Sequence, residues 1–118
     1  MSPEFSLIDK YFNLYKTKAF RGIGDDAALI KKDSNHLWAI STDMLNEKTH
    51  FLPNTDPFNL GWKALAVNIS DIYAMGGVPR FALLAIALPK VKENWIKEFS
   101  NGLFSCAKKY RVELIGGD

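Results

Sequence analysis

Five aspartates stand where the apolar segments of this chain end or are interrupted. A carboxylate beside or inside a hydrophobic segment is costly unless protons, hydrogen-bond donors or cations compensate it, and several together raise one another's pKa. Magnesium compensates such groups economically, because it takes hard oxygen ligands, usually one or two protein carboxylates together with water and phosphate oxygens. The pattern therefore predicts a metal-dependent phosphate site that draws on Asp25, Asp26, Asp43, Asp71 and Asp118.

Each of these aspartates also has an ordinary structural explanation. Asp25 and Asp26 follow a glycine and could be turn residues, and Asp43 could cap the segment that follows it. Asp71 is harder to explain in this way, because an acid on the inner side of an apolar helix normally needs a partner. Asn68, three residues earlier, is a candidate for that partner.

The polar residues around these aspartates are ambiguous in the same way. Ser41 and Thr42 could be ordinary strand residues, and Lys63 could be a solvated lysine on a largely apolar helix. His50 lies in a loop, where a lone histidine is more often solvated or packed than a ligand. We assign no role to His36. Composition and spacing alone favour a cation-binding α+β domain.

Composition limits the class of protein. The chain has 118 residues, of which 47% are hydrophobic, enough for one compact domain with a core. The formal net charge is +2 and the lysines are scattered, which does not favour nucleic-acid binding. The single cysteine, Cys106, cannot form an internal disulfide and is expected in the core. No apolar run approaches the roughly 20 residues of a membrane span, so we expect a soluble cytoplasmic protein without membrane or nucleic-acid partners.

The first half of the chain predicts a helix, a hairpin and a long loop. The helix begins after Ser2 as its cap and carries an apolar side that should pack on a sheet. A glycine-punctuated loop over residues 16–25 leads into strands at 27–31 and 37–42, joined by turn residues. Residues 44–57 have no clear period, and a loop of that length is usually functional or disordered.

The second half predicts two helices and two strands. Asp56 should cap a helix over 57–75 that is apolar almost all round and therefore central. The uniformly apolar run 81–88 is typical of a strand covered on both faces. An amphipathic helix over 93–110 and a last strand at 112–115 complete the pattern.

Gly116, Gly117 and Asp118 follow the last predicted strand, and there the chain stops. Two glycines and an acid at a strand end are typical of a sharp turn or a close approach of backbone to a ligand, yet no element follows to support them. We therefore expect residues 1–118 to be a single amino-terminal domain of a longer protein. The alternative is a natural terminus with a frayed polar end.

The order of the motifs resembles the amino-terminal domain of the thiamine-monophosphate kinase family. The resemblance covers nearly the whole chain, and its most specific part is Ser-Thr-Asp-Met-Leu followed at this spacing by Lys-Ala-Leu-Ala-Val-Asn-Ile-Ser-Asp. The wider superfamily, which includes aminoimidazole ribonucleotide synthetase, shares the ATP-binding architecture. The matching segments are Gly-Ile-Gly-Asp-Asp-Ala-Ala at 22–28, Ser-Thr-Asp-Met-Leu at 41–45, His-Phe at 50–51, the segment 61–71, Ala-Met-Gly-Gly-Val-Pro at 74–79 and Gly-Gly-Asp at 116–118.

The resemblance implies a fold and a set of site residues. The fold is α+β, with a mixed or antiparallel sheet and helices on one side, and its strands pair with those of a second subunit in a homodimer. His50 corresponds to a contact to thiamine monophosphate, while Gly117 and Asp118 lie against ATP. The implied magnesium ligands are Asp26, Ser41, Thr42, Asp43, Asp71 and Asp118. Asp25 is expected to act through a neighbouring ligand or through water.

The implied reaction moves the γ-phosphoryl group of ATP onto the phosphate of thiamine monophosphate, giving thiamine diphosphate and ADP. No protein nucleophile is needed, because the acceptor is already an anionic phosphate oxygen and the difficulty is to bring two charged phosphates together in line. Two alternatives remain open: a superfamily member with a different acceptor, or a non-catalytic dimerisation or nucleotide-binding module.

The chain departs from the family pattern in the loop before His50. Lys48 stands where the family commonly has glycine, and Asn46 and Thr49 stand where small or apolar residues are usual. The turn geometry of this loop, and with it the role of His50, is therefore open at the level of sequence. The family's second domain supplies further metal ligands and much of the thiamine pocket. We accordingly expect the 118-residue chain alone to be inactive.

Overall fold

A computed structural model describes residues 3–13, 26–48 and 50–118. The chain divides into two compact units, Met1–Ser41 and Thr42–Asp118, which are treated separately below. In the described parts, the elements are α1 (Pro3–Tyr11), β1 (Ala28–Lys31), β2 (Leu37–Ile40), α2 (Pro57–Ala74), β3 (Phe81–Leu84), α3 (Glu93–Tyr110) and β4 (Glu113–Gly117). The α+β class predicted from the sequence is confirmed. No helix in these ranges is long and apolar enough to cross a bilayer.

The first unit contains the predicted hairpin. Strands β1 and β2 pair antiparallel, with Ala28 opposite Ile40 and Lys31 opposite Leu37. The turn between them is closed by Asp33, whose carboxylate accepts a hydrogen bond from the backbone N–H of Asn35 at 2.8 Å. The strands are shorter than predicted, since β1 begins one residue later and β2 ends at Ile40 rather than Thr42.

Helix α1 does not bury its apolar side. It contains no buried residue, and Phe12, just beyond its end, is 73% exposed. The prediction that it packs on the sheet is therefore wrong for the described residues. A nine-residue helix and a two-stranded hairpin have little apolar surface to bury against each other. Elements this small are only marginally stable unless further strands or helices pack on them. The predicted cap, Ser2, and the loop 16–25 lie outside the described residues.

Helix α2 begins and ends where its sequence signals predict. The side chain of Asp56 accepts a hydrogen bond from the backbone N–H of Asn59 at 3.2 Å, and Pro57 occupies the first helical position. At the other end Gly76 has φ 74°, a left-handed conformation that glycine adopts without steric cost. The boundaries of α3 also match the prediction, and Arg111 closes it in a left-handed conformation.

Two glycines allow α2 and α3 to pack closely. A Cβ on Gly61 would overlap the carbonyl oxygen of Phe99, and one on Gly102 would overlap the carbonyl oxygen of Phe58. The backbones of the two helices therefore meet directly at both points, one glycine from each helix. The core of the second unit lies beside this contact and comprises Leu65, Ile69, Leu103, Cys106, Ala107 and Val112.

Strands β3 and β4 form a parallel pair on this core. Their connection runs through α3, and the pairing starts at Phe81 opposite Glu113 with an irregularity after Ala82. Ala82, Leu84 and Leu114 pack against the helices. The other face is open, with Leu83 73% exposed, so the prediction of a strand covered on both faces is wrong in the described structure. The strand also ends at Leu84 rather than continuing to residue 88.

Candidate functional site

The structure brings Asp43 and Asp71 together. Asp43 lies in the irregular segment before α2, and Asp71 lies near the end of that helix. The Asp71 carboxyl is hydrogen-bonded to that of Asp43, and its pKa is raised, first by burial and then by this hydrogen bond and the neighbouring negative charge. Two ionised carboxylates have only acceptors to offer each other, so such a contact needs a shared proton or a cation.

Asn68 adds an unsatisfied oxygen one helical turn before Asp71. Its amide nitrogen donates to the carbonyl of Ala64 at 3.0 Å. Its amide oxygen is buried and has no partner in the described residues. The side chain is thus held by its own helix, and the idea that Asn68 is the partner of Asp71 is wrong, because Asp43 takes that position. A buried amide oxygen without a donor is a hard ligand awaiting a proton donor or a cation.

Asn68 is a candidate site residue that the sequence-based ligand set omits. The signal for it was its position three residues before Asp71, which places both side chains on one helix face. Asparagine is uncharged, and spacing alone did not show which of its polar atoms would be left without a partner. That information came from the hydrogen bond to Ala64.

In the first unit, Asp26 and Ser41 belong to the same end of the hairpin. Asp26 precedes β1 and Ser41 follows β2, and the register that pairs Ala28 with Ile40 puts both at the open end. The hydroxyl oxygen of Ser41 is buried and has no hydrogen-bond partner in the described part of the chain. Asp26 is exposed. Asp25 lies outside the described residues. Thr42, the next predicted ligand, is an exposed residue that begins the second unit.

At the end of β4 the backbone holds Asp118 in place. Its N–H donates to the carbonyl of Leu84 and its own carbonyl accepts from the N–H of Ile86, both at 2.7 Å. Gly117 has φ 138°, and a Cβ there would overlap the carbonyl oxygen of Leu84. Only glycine fits this close approach of the two strands, which explains the glycine at position 117. The next residue, Asp118, is exposed.

The loop that carries His50 is closed by hydrogen bonds to its own backbone. The backbone N–H of Asn46 donates to His50 Nδ1 at 2.7 Å, and the N–H of His50 donates to the carbonyl of Asn46 at 2.8 Å. The ammonium group of Lys63, on α2, donates to the carbonyl of His50 at 2.6 Å. Lys48 has φ 68°, a left-handed conformation that favours glycine. The turn therefore forms with a lysine at this position.

The predicted ligands are only partly assembled. In the described ranges, no group of three or more His, Cys, Asp or Glu side chains is arranged to hold a metal ion. The pair that does meet, Asp43 and Asp71, matches what Mg²⁺ takes from proteins, namely one or two carboxylates plus oxygens from water and phosphate. These donors are hard oxygens, and a cation bound here would compensate the negative charge of Asp43 that helps to raise the pKa of Asp71. The residues present therefore fit a magnesium ion, and the full ligand set stays a prediction.

Comparison with known proteins gives consistent results. The family model described as "AIR synthase related protein, N-terminal domain" matches residues 24–118. A protein named thiamine-monophosphate kinase from Buchnera aphidicola subsp. Acyrthosiphon pisum is 49% identical, covering 98% of this chain and 36% of its own length. One of the same name from Escherichia coli (strain K12) is 48% identical with the same coverage. The chain thus spans about a third of the length of the curated relatives it matches.

Solved structures agree with the sequence comparisons. A structure described as "AaThiL complexed with AMPPCP and TMP" superimposes with a TM-score of 0.83 at 34% identity, covering 97% of this chain and 35% of that one. Thiamine-monophosphate kinase from Stenotrophomonas maltophilia K279a gives a TM-score of 0.68 at 44% identity, covering 98% of this chain and 37% of that one. Since the family model matches most of the residues, the chain belongs to the family of AIR synthase-related amino-terminal domains.

Proposed function

We propose that these 118 residues are the amino-terminal domain of an enzyme that transfers the γ-phosphoryl group of ATP to the phosphate of thiamine monophosphate. The proposal is supported by relatives named thiamine-monophosphate kinase at 48–49% identity and by the likeness to a structure described as a complex with AMPPCP and TMP. The observation within this chain that carries it is the contact between the carboxyl groups of Asp43 and Asp71.

The residues have distinct roles in this proposal. Asp43 and Asp71 hold magnesium, and the resemblance adds Asp26, Ser41, Thr42 and Asp118 to the ligands. The ion, when bound, neutralises charge on the phosphate oxygens. Gly117 and Asp118 contact ATP, where the backbone of β4 brings an acid to the end of the strand pair. His50 contacts thiamine monophosphate.

The reaction needs no nucleophile or base from the protein. The acceptor phosphate supplies an anionic oxygen that attacks the γ-phosphorus, the bond from that phosphorus to the ADP oxygen breaks, and ADP leaves with the electron pair. What the protein must do is hold the two phosphates in line and compensate their charge. A carboxylate pair that can hold a cation is consistent with that task.

The test is ATP-dependent formation of thiamine diphosphate from thiamine monophosphate by the product of the complete open reading frame, with Mg²⁺ and with EDTA. The proposal predicts product only with Mg²⁺. A folded protein that binds ATP but forms no thiamine diphosphate would shift the assignment to another acceptor within the superfamily. A folded protein that binds no nucleotide would favour a non-catalytic dimerisation module.

We also propose that the enzyme is a homodimer. In the first unit the hairpin exposes Ile30, Trp38 and Ile40, and in the second the outer face of β3 and β4 exposes Leu83 and Ile115. Exposed apolar residues on sheet faces are typical of surfaces that another subunit or domain covers. Sedimentation equilibrium of the complete gene product tests this, and a monomer at micromolar concentration would contradict it.

A further inference from the structure

We propose that the backbone amide of Asn46 and the side chain of Lys63 position His50 so that its Nε2, and not its Nδ1, donates a hydrogen bond to the phosphate monoester of the acceptor. The inference rests on the proposed function and deepens it, because it concerns how the acceptor phosphate is recognised. It makes Lys63 a positioning residue, which acts through His50 and does not touch the substrate.

The first observation is the direction of the hydrogen bond at His50 Nδ1. The partner, 2.7 Å away, is the backbone N–H of Asn46, which can only donate. Nδ1 must therefore hold a lone pair, and in the neutral ring the proton lies on Nε2. The hydrogen bond thus selects one of two tautomers without any acidic side chain.

The other histidine of the chain has the opposite arrangement. His36 Nδ1 lies 2.9 Å from the carboxylate of Asp33. The pKa of Asp33 is lowered, first by the N–H of Asn35 and then by His36, so this carboxylate is ionised at neutral pH and can only accept. His36 must donate from Nδ1. The two rings therefore hold their protons on different nitrogens, and His36 serves as an internal reference for His50.

The second observation is how the loop is held. Lys63 Nζ donates to the carbonyl of His50 at 2.6 Å, which ties residue 50 to helix α2. The backbone N–H of His50 is bonded to the Asn46 carbonyl at 2.8 Å, so both peptide groups of His50 and the ring nitrogen Nδ1 are engaged. The helix is the rigid element here, and a site that takes its position from a helix is more precise than one on a free loop.

The remaining ring nitrogen is free to meet a ligand. His50 is exposed, and the hydrogen bond that its ring makes in the described structure engages Nδ1 and leaves Nε2 on the other side of the ring. An imidazole that carries its proton on Nε2 offers one N–H donor and no acceptor at that atom. Such a group favours an oxygen anion over a donor, so it fits a phosphate oxygen.

The direct test is long-range ¹H–¹⁵N NMR of the imidazole nitrogens in the complete gene product, with His50 resonances assigned by their loss in His50→Gln. We expect His50 to be the Nε2–H tautomer and His36 the Nδ1–H tautomer. A His50 ring protonated on Nδ1 in the neutral form would overturn the inference. This measurement needs no enzymatic activity, so its result stands even if the proposed reaction is wrong.

Kinetics of three variants test the role of Lys63. Lys63→Met keeps the length of the side chain but not the donor, and we expect the KM for thiamine monophosphate to rise about tenfold, in keeping with the loss of one charge-assisted hydrogen bond. The kcat and the KM for ATP should change less than about twofold. Lys63→Arg should restore most of the loss, and Lys97→Met, an exposed lysine on α3, should have no effect.

The outcomes separate the two proposals. An active wild type with an unchanged KM in Lys63→Met would overturn the positioning role while leaving the phosphoryl transfer intact. A folded wild type without activity on thiamine monophosphate would overturn the proposed function, and the NMR result would still decide the tautomer. Equal losses in kcat and in both KM values, without rescue by arginine, would indicate a general structural defect and contradict the inference.

Discussion

The carboxyl groups of Asp43 and Asp71 are hydrogen-bonded to each other, although one residue lies in an irregular segment and the other in a helix. The pKa of Asp71 is raised, first by burial and then by the hydrogen bond to Asp43 and its negative charge. Without a cation, ionisation of both groups opposes folding, because like charges are brought together in a partly desolvated place. With a cation, the same arrangement is a ligand pair. The pair thus links metal binding to stability.

Replacement of Asp71 by asparagine should remove most of the effect of magnesium on turnover and on thermal stability. The change removes charge and keeps volume, so the fold is retained, while turnover in the complete enzyme falls by about 100-fold, as for groups at a metal site. Wild-type protein should show a higher Tm with Mg²⁺ than with EDTA, because a ligand of the native state stabilises it. Asp71→Asn should lose most of that difference. Thermal unfolding with each additive measures it.

The control for that experiment is Asp56→Asn on the same helix. Asp56 caps α2, and asparagine caps helices about as well as aspartate, so this variant should keep both the stability and the response to Mg²⁺. A full magnesium response in Asp71→Asn would show that Asp71 is not a ligand.

The metal-free protein should lose stability as pH rises through the weakly acidic range. The pKa of Asp71 is raised in the native state above its ordinary value of 3.8. Between the two values the native state binds more protons than the unfolded state, so the free energy of unfolding decreases with increasing pH and levels off above the native pKa. Urea unfolding in EDTA across this range measures the slope. Asp71→Asn should lack this component.

A second aspartate, Asp33, has the opposite effect on the pH dependence of stability. The wild type must therefore be compared with Asp71→Asn. The pKa of Asp33 is lowered by its hydrogen bonds, so its contribution to stability is present above its ordinary pKa and is lost as pH falls. Because Asp33 is unchanged in Asp71→Asn, the difference between wild type and variant isolates the Asp43–Asp71 pair. An identical pH dependence in the two proteins would contradict the assignment.

Replacement of Gly102 by alanine should weaken the packing of α2 on α3. A Cβ at this position would overlap the carbonyl oxygen of Phe58, which is backbone and cannot move without shifting the helix. We expect a loss of about 1–3 kcal/mol in the free energy of unfolding, as for other overpacked sites. Urea denaturation is the measurement, with the adjacent exposed Asn101→Ala as a control that should be neutral or stabilising. A loss below about 0.5 kcal/mol would show that the helices can separate easily.

Replacement of Lys48 by glycine should stabilise the loop that carries His50. Lys48 has φ 68°, and a left-handed conformation costs a residue with a Cβ about 1–2 kcal/mol. Part of that gain is offset by the greater freedom of glycine in the unfolded chain, which leaves a net gain of about 0.5 kcal/mol. Glu47→Gly, one residue earlier, should be destabilising instead. A lower Tm for Lys48→Gly than for the wild type would contradict the turn geometry.

The thiol of Cys106 should react only when the protein unfolds. The residue is 0% exposed in the core of the second unit, and burial raises the pKa of its thiol, which lowers the fraction of reactive thiolate. We expect labelling by an aromatic disulfide reagent to be slow in native buffer and fast in denaturant. Rapid labelling of the native protein at neutral pH would show that the helices open readily at this point.

Helices α2 and α3 were predictable because the sequence features that start, stop and orient them are local. The capping aspartate and proline at 56–57, the glycines after α2 and the 3.6-residue period of α3 all lie within the elements they define. The hairpin followed from turn residues between two apolar runs. The β3 prediction was less accurate, because a uniform apolar run does not show where pairing stops or which face is covered. Only packing against the helices settled that Leu84 is the last residue and that Leu83 faces outward.

The sequence by itself determined the family, the positions of the helices and the list of candidate carboxylates, because these depend on residue type and short-range spacing. The tertiary structure decided which candidates meet. Asp71 pairs with Asp43 and not with its helical neighbour Asn68, and the ring of His50 accepts a hydrogen bond from the amide of Asn46. Contacts of this kind require loops to close and helices to pack, and periodicity does not encode the resulting distances. The chemistry was therefore visible in the sequence, and its geometry was not.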